Sequence, residues 1–151
     1  RALPIHVRFI EFMPFAGNKW EYEKVVSYKQ ILDKIELVYP IEKLNDEPNS
    51  TTKSYRVKSF LGTFAVISSI TAPFCESCNR VRLTCTGELY MCLGQEDMAD
   101  LRSPLRASDD DRVLEEAIRA AISLKPKGHD FDYSRQEAGG QMTRHMSHTG
   151  G

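Results

Sequence analysis

The chain has 151 residues, 41% hydrophobic and 27% charged, which suffices for one domain of ordinary size with a real core. A net charge of −1 supplies no global field for nucleic acid or a membrane surface, so neither is expected as a partner. No run approaches the roughly 18 apolar residues of a membrane span, and the opening RALPIHVRFIEF has neither an apolar signal core nor a cleavage signature.

With no initiator Met and a strand-like run almost at once, the expectation is a fragment of a longer protein. IHVRFIEF, residues 5–12, reads as a strand closed by Pro14. His6, Arg8 and Glu11 interrupt its apolar run, so one face or end meets polar surroundings. Ser27 starts a helix: Ser27 and Gln30 form a capping box, and Val26 with Ile31 can make the hydrophobic staple. Ile31, Leu32 and Ile35 give that helix its apolar stripe.

NDEPNSTTKS, residues 45–54, is a polar connector. Strands at 55–60 and 63–70 are expected to form a hairpin through Leu61-Gly62. After the cysteine segment, Ser108 with Asp111 reads as an N-cap for a helix over 109–124. Val113, Leu114, Ala117, Ile118, Ala121 and Ile122 form its buried stripe, and Lys125-Pro126-Lys127-Gly128 stops it. Residues 129–151 are polar, Gly-rich and end in Gly150-Gly151.

All four cysteines lie in FCESCNRVRLTCTGELYMCL, residues 74–93. A CxxC followed by further Cys is metal-site spacing, and it favours a reducing compartment over a disulfide framework. A two-residue turn at Thr86-Gly87 would make a hairpin pairing Cys85 with Glu88 and Val81 with Cys92. Cys92 then returns beside the CxxC loop, while Cys85 lies roughly 13 Å away at the far end, four strand residues distant. Three cysteines can therefore converge. A structural zinc normally takes four protein ligands, whereas a 4Fe–4S cluster held by three Cys leaves one iron open to a small molecule. Spacing alone does not choose between zinc and iron–sulfur.

Arg80 and Arg82 are two apart and on a strand share one face. Their planar forks suit phosphate oxygens; pairing with Glu76 or Glu88 at the surface is the plainer reading. The simple register puts Arg82 opposite Met91, on the face away from Cys92, so a bulge or a later hairpin start would be needed to unite them.

The segment resembles the C-terminal cluster motif of the GTP 3′,8-cyclase family of radical S-adenosylmethionine enzymes, the first step of molybdenum cofactor biosynthesis. It fits the family pattern FCxxCNRxRxTxxGxLxxCL throughout. RFIEFMPF, residues 8–15, is similar to the family's late barrel strand, and the final double glycine also agrees. The resemblance implies that Cys75, Cys78 and Cys92 bind a 4Fe–4S cluster with one open iron, where the guanine of GTP binds. It implies that Arg80 and Arg82 hold the GTP, that Met13 contacts S-adenosylmethionine, and that Gly150 and Gly151 assist the cyclisation.

As to fold, the resemblance implies an α/β chain. Residues 1–26 would be the terminal strand region of an incomplete TIM-like barrel. Residues 27–151 would form a C-terminal α+β domain with antiparallel hairpins carrying the cluster and GTP. The CxxxCxxC motif that cleaves S-adenosylmethionine is not in this sequence, since every Cys lies between 75 and 92. The chain alone is thus expected to bind substrate without turnover. Implied partners are the missing N-terminal barrel, which supplies most of the S-adenosylmethionine site, and the downstream cyclic pyranopterin monophosphate synthase. The setting is cytoplasmic, and a homodimer is left open. Cys85 and Thr86 stand where many members have Ala-Asp, and the CLGQ stretch lacks the Phe of the commoner CLFG.

The residues alone allow plainer roles. Met13 reads as a core gap-filler, His129, His145 and His148 as solvated tail residues, and Lys125 and Lys127 as cations suited to a helix C-terminus or to phosphate. Two other functions compete. A four-Cys zinc ribbon would need Cys85 and would prefer a basic surface. A diglycine carrier protein would need a compact β-grasp and leaves the cysteines without purpose.

Overall fold

The computed structural model describes residues 2–129 and 145–149. They form two compact units, one holding residues 2–13 and 21–78, the other residues 14–20, 79–129 and 145–149. The architecture is mixed α/β with two largely antiparallel sheets, and the described residues form no closed barrel.

The first unit holds a four-stranded sheet of order β1-β4-β3-β2, with β1 His6–Ile10, β2 Ile41–Lys43, β3 Thr52–Val57 and β4 Thr63–Ile67. β1 runs parallel to β4, with Arg8 beside Ala65, and the other two pairings are antiparallel. Helix α1, Tyr28–Glu36, starts at Ser27 as the sequence predicts, with both halves of the capping box formed. Its Ile31, Leu32 and Ile35 pack on buried Tyr55, Phe64 and Val66. Tyr55 and Phe64 are cross-strand partners with stacked rings, 5.3 Å between centroids. Val26 and Ile31 line one apolar groove with Phe9, Ile10, Phe12 and Ile35. All five residues of β1 are exposed.

The expected tight hairpin at Leu61-Gly62 is replaced by a longer loop. Tyr55 pairs with Phe64 and Thr52 with Ile67, so β3 begins three residues earlier than expected, inside the polar connector. Gly62 is needed there for close approach: a Cβ would stand 2.4 Å from the carbonyl oxygen of Ile5.

The second unit holds the sheet β5-β6-β7, with β5 Arg82–Leu83, β6 Glu88–Tyr90 and β7 Met98–Asp100. Helices α2, Arg102–Ala107, and α3, Asp111–Ser123, follow. Leu89, Met91, Leu101 and Ala121 form its core, with Ala99, Leu114, Ala117 and Ile118 packed against them. Val113 and Ile122, expected in the buried stripe, are 39% and 48% exposed and lie at its margins. The cap of α3 is Asp110 rather than Ser108: Asp110 accepts the Arg112 N–H at 3.0 Å, and Ser108 instead accepts that of Asp110. Two aspartates this close to the first turn outcompete the earlier serine. No helix among the described residues is long and apolar enough to cross a membrane.

Candidate functional site

The CxxC is built by the end of the first unit. Beyond β4, buried Ser68, Ser69 and Ile70 lead into a turn held by two charged side chains. Glu11, 2% exposed, accepts the N–H groups of Ile70 at 2.7 Å and Thr71 at 2.9 Å. Its other oxygen takes the Tyr28 N–H at 2.7 Å and the Thr71 hydroxyl at 2.5 Å. Lys53 donates to Ser68 Oγ at 2.8 Å and to the Ala72 carbonyl at 2.9 Å. Burial pushes the Lys53 ammonium below its ordinary value, against the opposing pull of Glu11. Pro73 follows with its fixed φ. Cys75–Ser77 then forms a 3-10 turn in which the Cys78 N–H donates to the Cys75 carbonyl at 3.1 Å. Both thiols are half-buried.

The hairpin that follows differs from the expected one by a single residue. Arg82 pairs with Tyr90 and Leu83 with Leu89, and the Thr84 N–H donates to the Glu88 carbonyl at 3.0 Å. The turn is therefore three residues, Cys85-Thr86-Gly87, not the two of Thr86-Gly87. Gly87 takes φ of +87°, the left-handed position that such loops place on glycine. A Cβ on it would stand 2.8 Å from Arg102 Cβ. Thr84, buried, closes the turn by accepting the Glu88 N–H at 3.0 Å.

This one-residue change alters which side chains share a face. Leu89 and Met91 are buried in the core, so Tyr90 between them alternates to the other face. Arg82, directly opposite Tyr90, shares that face. Arg82 thus lies on the face away from Leu89 rather than opposite Met91, where the simple register puts it. Arg82 is half-buried and Arg80 exposed.

All four cysteines remain thiols. Cys92 is half-buried and its sulfur accepts the Gly94 N–H at 3.4 Å. Cys85 is exposed in the turn, at the opposite end of the hairpin from Cys92. Among the described residues no three His, Cys, Asp or Glu side chains are gathered to hold a single metal ion. Cys75 and Cys78 in the first unit and Cys92 in the second are each half-buried thiols, the donor type that iron–sulfur clusters take.

Met13 is half-buried, three residues beyond β1. His145 and His148 are exposed, their rings 5.9 Å apart in a short 3-10 turn, with His145 against Gly17. Gly150 and Gly151 lie outside the described residues. Glu11, Thr84 and Lys125 contribute in structural roles that the sequence does not assign them. Glu11 was visible as a carboxylate interrupting an apolar strand, and Thr84 as a fixed position of the motif. Lys125 donates to the carbonyls of Arg80, at 2.8 Å, and Met91. That contact joins residues 45 and 34 positions apart and leaves no local signature.

Fold and hairpin define a mixed α/β chain whose second sheet carries a three-residue-turn hairpin with Arg82 on the face away from the core. The chain belongs to the Molybdenum Cofactor Synthesis C family, which matches residues 5–131. It is 49% identical over 146 residues to GTP 3′,8-cyclase of Paracoccus denitrificans, covering 95% of this chain and 42% of that protein. It is 42% identical over 151 residues to the enzyme of the same name from Rhodopseudomonas palustris, covering 99% of this chain and 44% of the relative. Molybdenum cofactor biosynthesis protein 1 of Mus musculus is 44% identical over 129 residues, 85% of this chain and 20% of its own length. The chain thus spans less than half the length of these curated relatives.

Proposed function

We propose that this chain is the substrate-side part of a GTP 3′,8-cyclase, converting GTP to (8S)-3′,8-cyclo-7,8-dihydroguanosine 5′-triphosphate in molybdenum cofactor biosynthesis. The observation that carries the reading is the hairpin register, in which Arg82 pairs with Tyr90, two residues before Cys92, on the face away from buried Leu89. Family membership and relatives that bear the name GTP 3′,8-cyclase support it.

In this reading Cys75, Cys78 and Cys92 hold a 4Fe–4S cluster. When bound, the cluster supplies an iron with an open position that fixes the guanine base. Arg80 and Arg82 bind the triphosphate, where planar guanidinium forks match phosphate oxygens. Holding base and phosphates at once restrains the ribose between them, which is the orientation contribution to catalysis. Glu11 and Lys53 keep the CxxC turn in one conformation. Met13 contacts S-adenosylmethionine, most of whose site belongs to the N-terminal barrel, with residues 1–26 as that barrel's last strand region and 27–151 as the cluster and GTP domain. Gly150 and Gly151 reach toward the reacting centre. The chain by itself binds substrate and does not turn it over. Cyclic pyranopterin monophosphate synthase takes the product, in the cytoplasm.

The test is anaerobic reconstitution with iron and sulfide, followed by Mössbauer spectroscopy with and without GTP. The expected result is a 4Fe–4S cluster at this site, one iron of which changes on adding GTP. One tightly held zinc, with no response to GTP and loss of metal on Cys85→Ser, would replace this reading with the zinc ribbon.

A further inference from the structure

We propose that Lys125 is a positioning residue that locks the open end of the β5–β6 hairpin, so that the Arg80 and Cys92 segments are held as one unit. The proposal rests on the reading above, which makes Arg80 a phosphate ligand and Cys92 a cluster ligand.

The last ladder rung is Arg82–Tyr90, so the strands lose regular pairing just before the residues that matter. Lys125 stands one residue beyond the C-cap of α3, with its N–H bonded to the Ile122 carbonyl at 3.0 Å and Pro126 fixing the chain after it. Its ammonium donates to the Arg80 carbonyl at 2.8 Å and to the Met91 carbonyl. One nitrogen within reach of both carbonyls requires the two segments to lie side by side beyond the ladder. The cation also neutralises two carbonyl dipoles crowded together at the hairpin mouth.

Lys125 is therefore turned to the backbone rather than to phosphate, the role its charge first suggests. Met91 connects the clamp to the core, because its side chain is buried with Leu89 and Ala121. The anchor runs from α3 through Lys125 to both functional segments.

The experiment uses the full-length, cluster-loaded enzyme, with Lys125→Met, Lys125→Gln and Lys125→Arg beside wild type and Arg80→Ala. Hydrogen exchange should quicken in peptides covering 79–82 and 91–94 in the Met and Gln variants and return toward wild type in the Arg variant. Binding of GTP should weaken about tenfold in Lys125→Met, a lower bound for losing its two charge-assisted hydrogen bonds, with recovery in Lys125→Arg. The iron complement should stay at the wild-type level.

Unchanged exchange and unchanged GTP binding in Lys125→Met would overturn the proposal while wild type and Arg80→Ala still differ. Should Lys125→Met fail to fold, equal impairment of the Gln and Arg variants overturns it, and a graded Gln-below-Arg response supports it. A wild-type enzyme that ignores GTP removes the functional reading itself; the exchange pattern then separately decides whether Lys125 clamps the hairpin.

Discussion

Glu11 grips Thr71 twice: one carboxylate oxygen accepts the Thr71 N–H at 2.9 Å and the other its hydroxyl at 2.5 Å. With the Ile70 and Tyr28 N–H groups, four donors converge on a carboxylate that is 2% exposed. It ties the end of β1 to the start of α1 and to the turn that launches Cys75. In Glu11→Gln an amide NH₂ must face N–H or O–H donors. We expect a loss of about 2–4 kcal/mol in denaturant titration of the full-length protein, the scale of a broken buried charged network. Iron uptake on reconstitution should fall with it.

Gly87→Ala meets two obstacles: a φ of +87° and a contact of 2.8 Å with Arg102 Cβ. The left-handed conformation alone costs about 1–2 kcal/mol for an L-residue. The midpoint of unfolding should drop accordingly, and NMR shifts should change at both Thr84 and Arg102. An unperturbed variant would argue against the three-residue turn.

Cys85 and Cys92 should behave oppositely. Cys85→Ser, in the exposed turn, should reconstitute with the wild-type iron content and spectrum. Cys92→Ser should lose the cluster or give a distinct signal. Equal loss in both variants would favour four-ligand zinc.

Asp100 ends β7 and caps the start of α2. Its carboxylate accepts the Ser103 hydroxyl at 2.5 Å and the N–H groups of Ser103 and Arg102 at 3.2 and 2.9 Å. The Ser103 hydroxyl, then its N–H and that of Arg102, hold Asp100 below its ordinary value of 3.8. A folded value below the unfolded one means the stabilisation is complete above the unfolded value and is lost as pH falls through the folded one. The Ser103 amide resonance should therefore titrate with a midpoint below 3.8, and the stability gap to Asp100→Asn should close in acid. A midpoint at or above the ordinary value would refute the cap.

Local chemistry was legible in the sequence where one short stretch carries the whole signal. Ser27 and Gln30 announce their capping box because both partners lie within one turn. The α3 stripe is legible from its period, except at its margins. β2 and β7 have three residues each, too few for any alternation to show. The observed register differs by one because Cys85, which reads as a strand residue, belongs to the turn, and Thr84 pairs with Glu88 in its place. The expected register put Arg82 on the wrong face, since one residue inverts every side chain of a strand. The Lys125 clamp depends on tertiary proximity and could not be read locally. The motif FCxxCNRxRxTxxGxLxxCL thus mixes two kinds of position. Thr84, Gly87 and Leu89 build the hairpin, while Arg82 pairs with Tyr90 on the face away from Leu89.

The exposed thiol of Cys85, at the tip of a hairpin whose other end bears Cys92, has a practical corollary. It is a ready attachment point for a spin label or fluorophore that would report hairpin motion while the functional face stays untouched. It is also the thiol best placed to couple two molecules in air. A dimer seen after aerobic handling should be checked with reductant before any quaternary meaning is given to it.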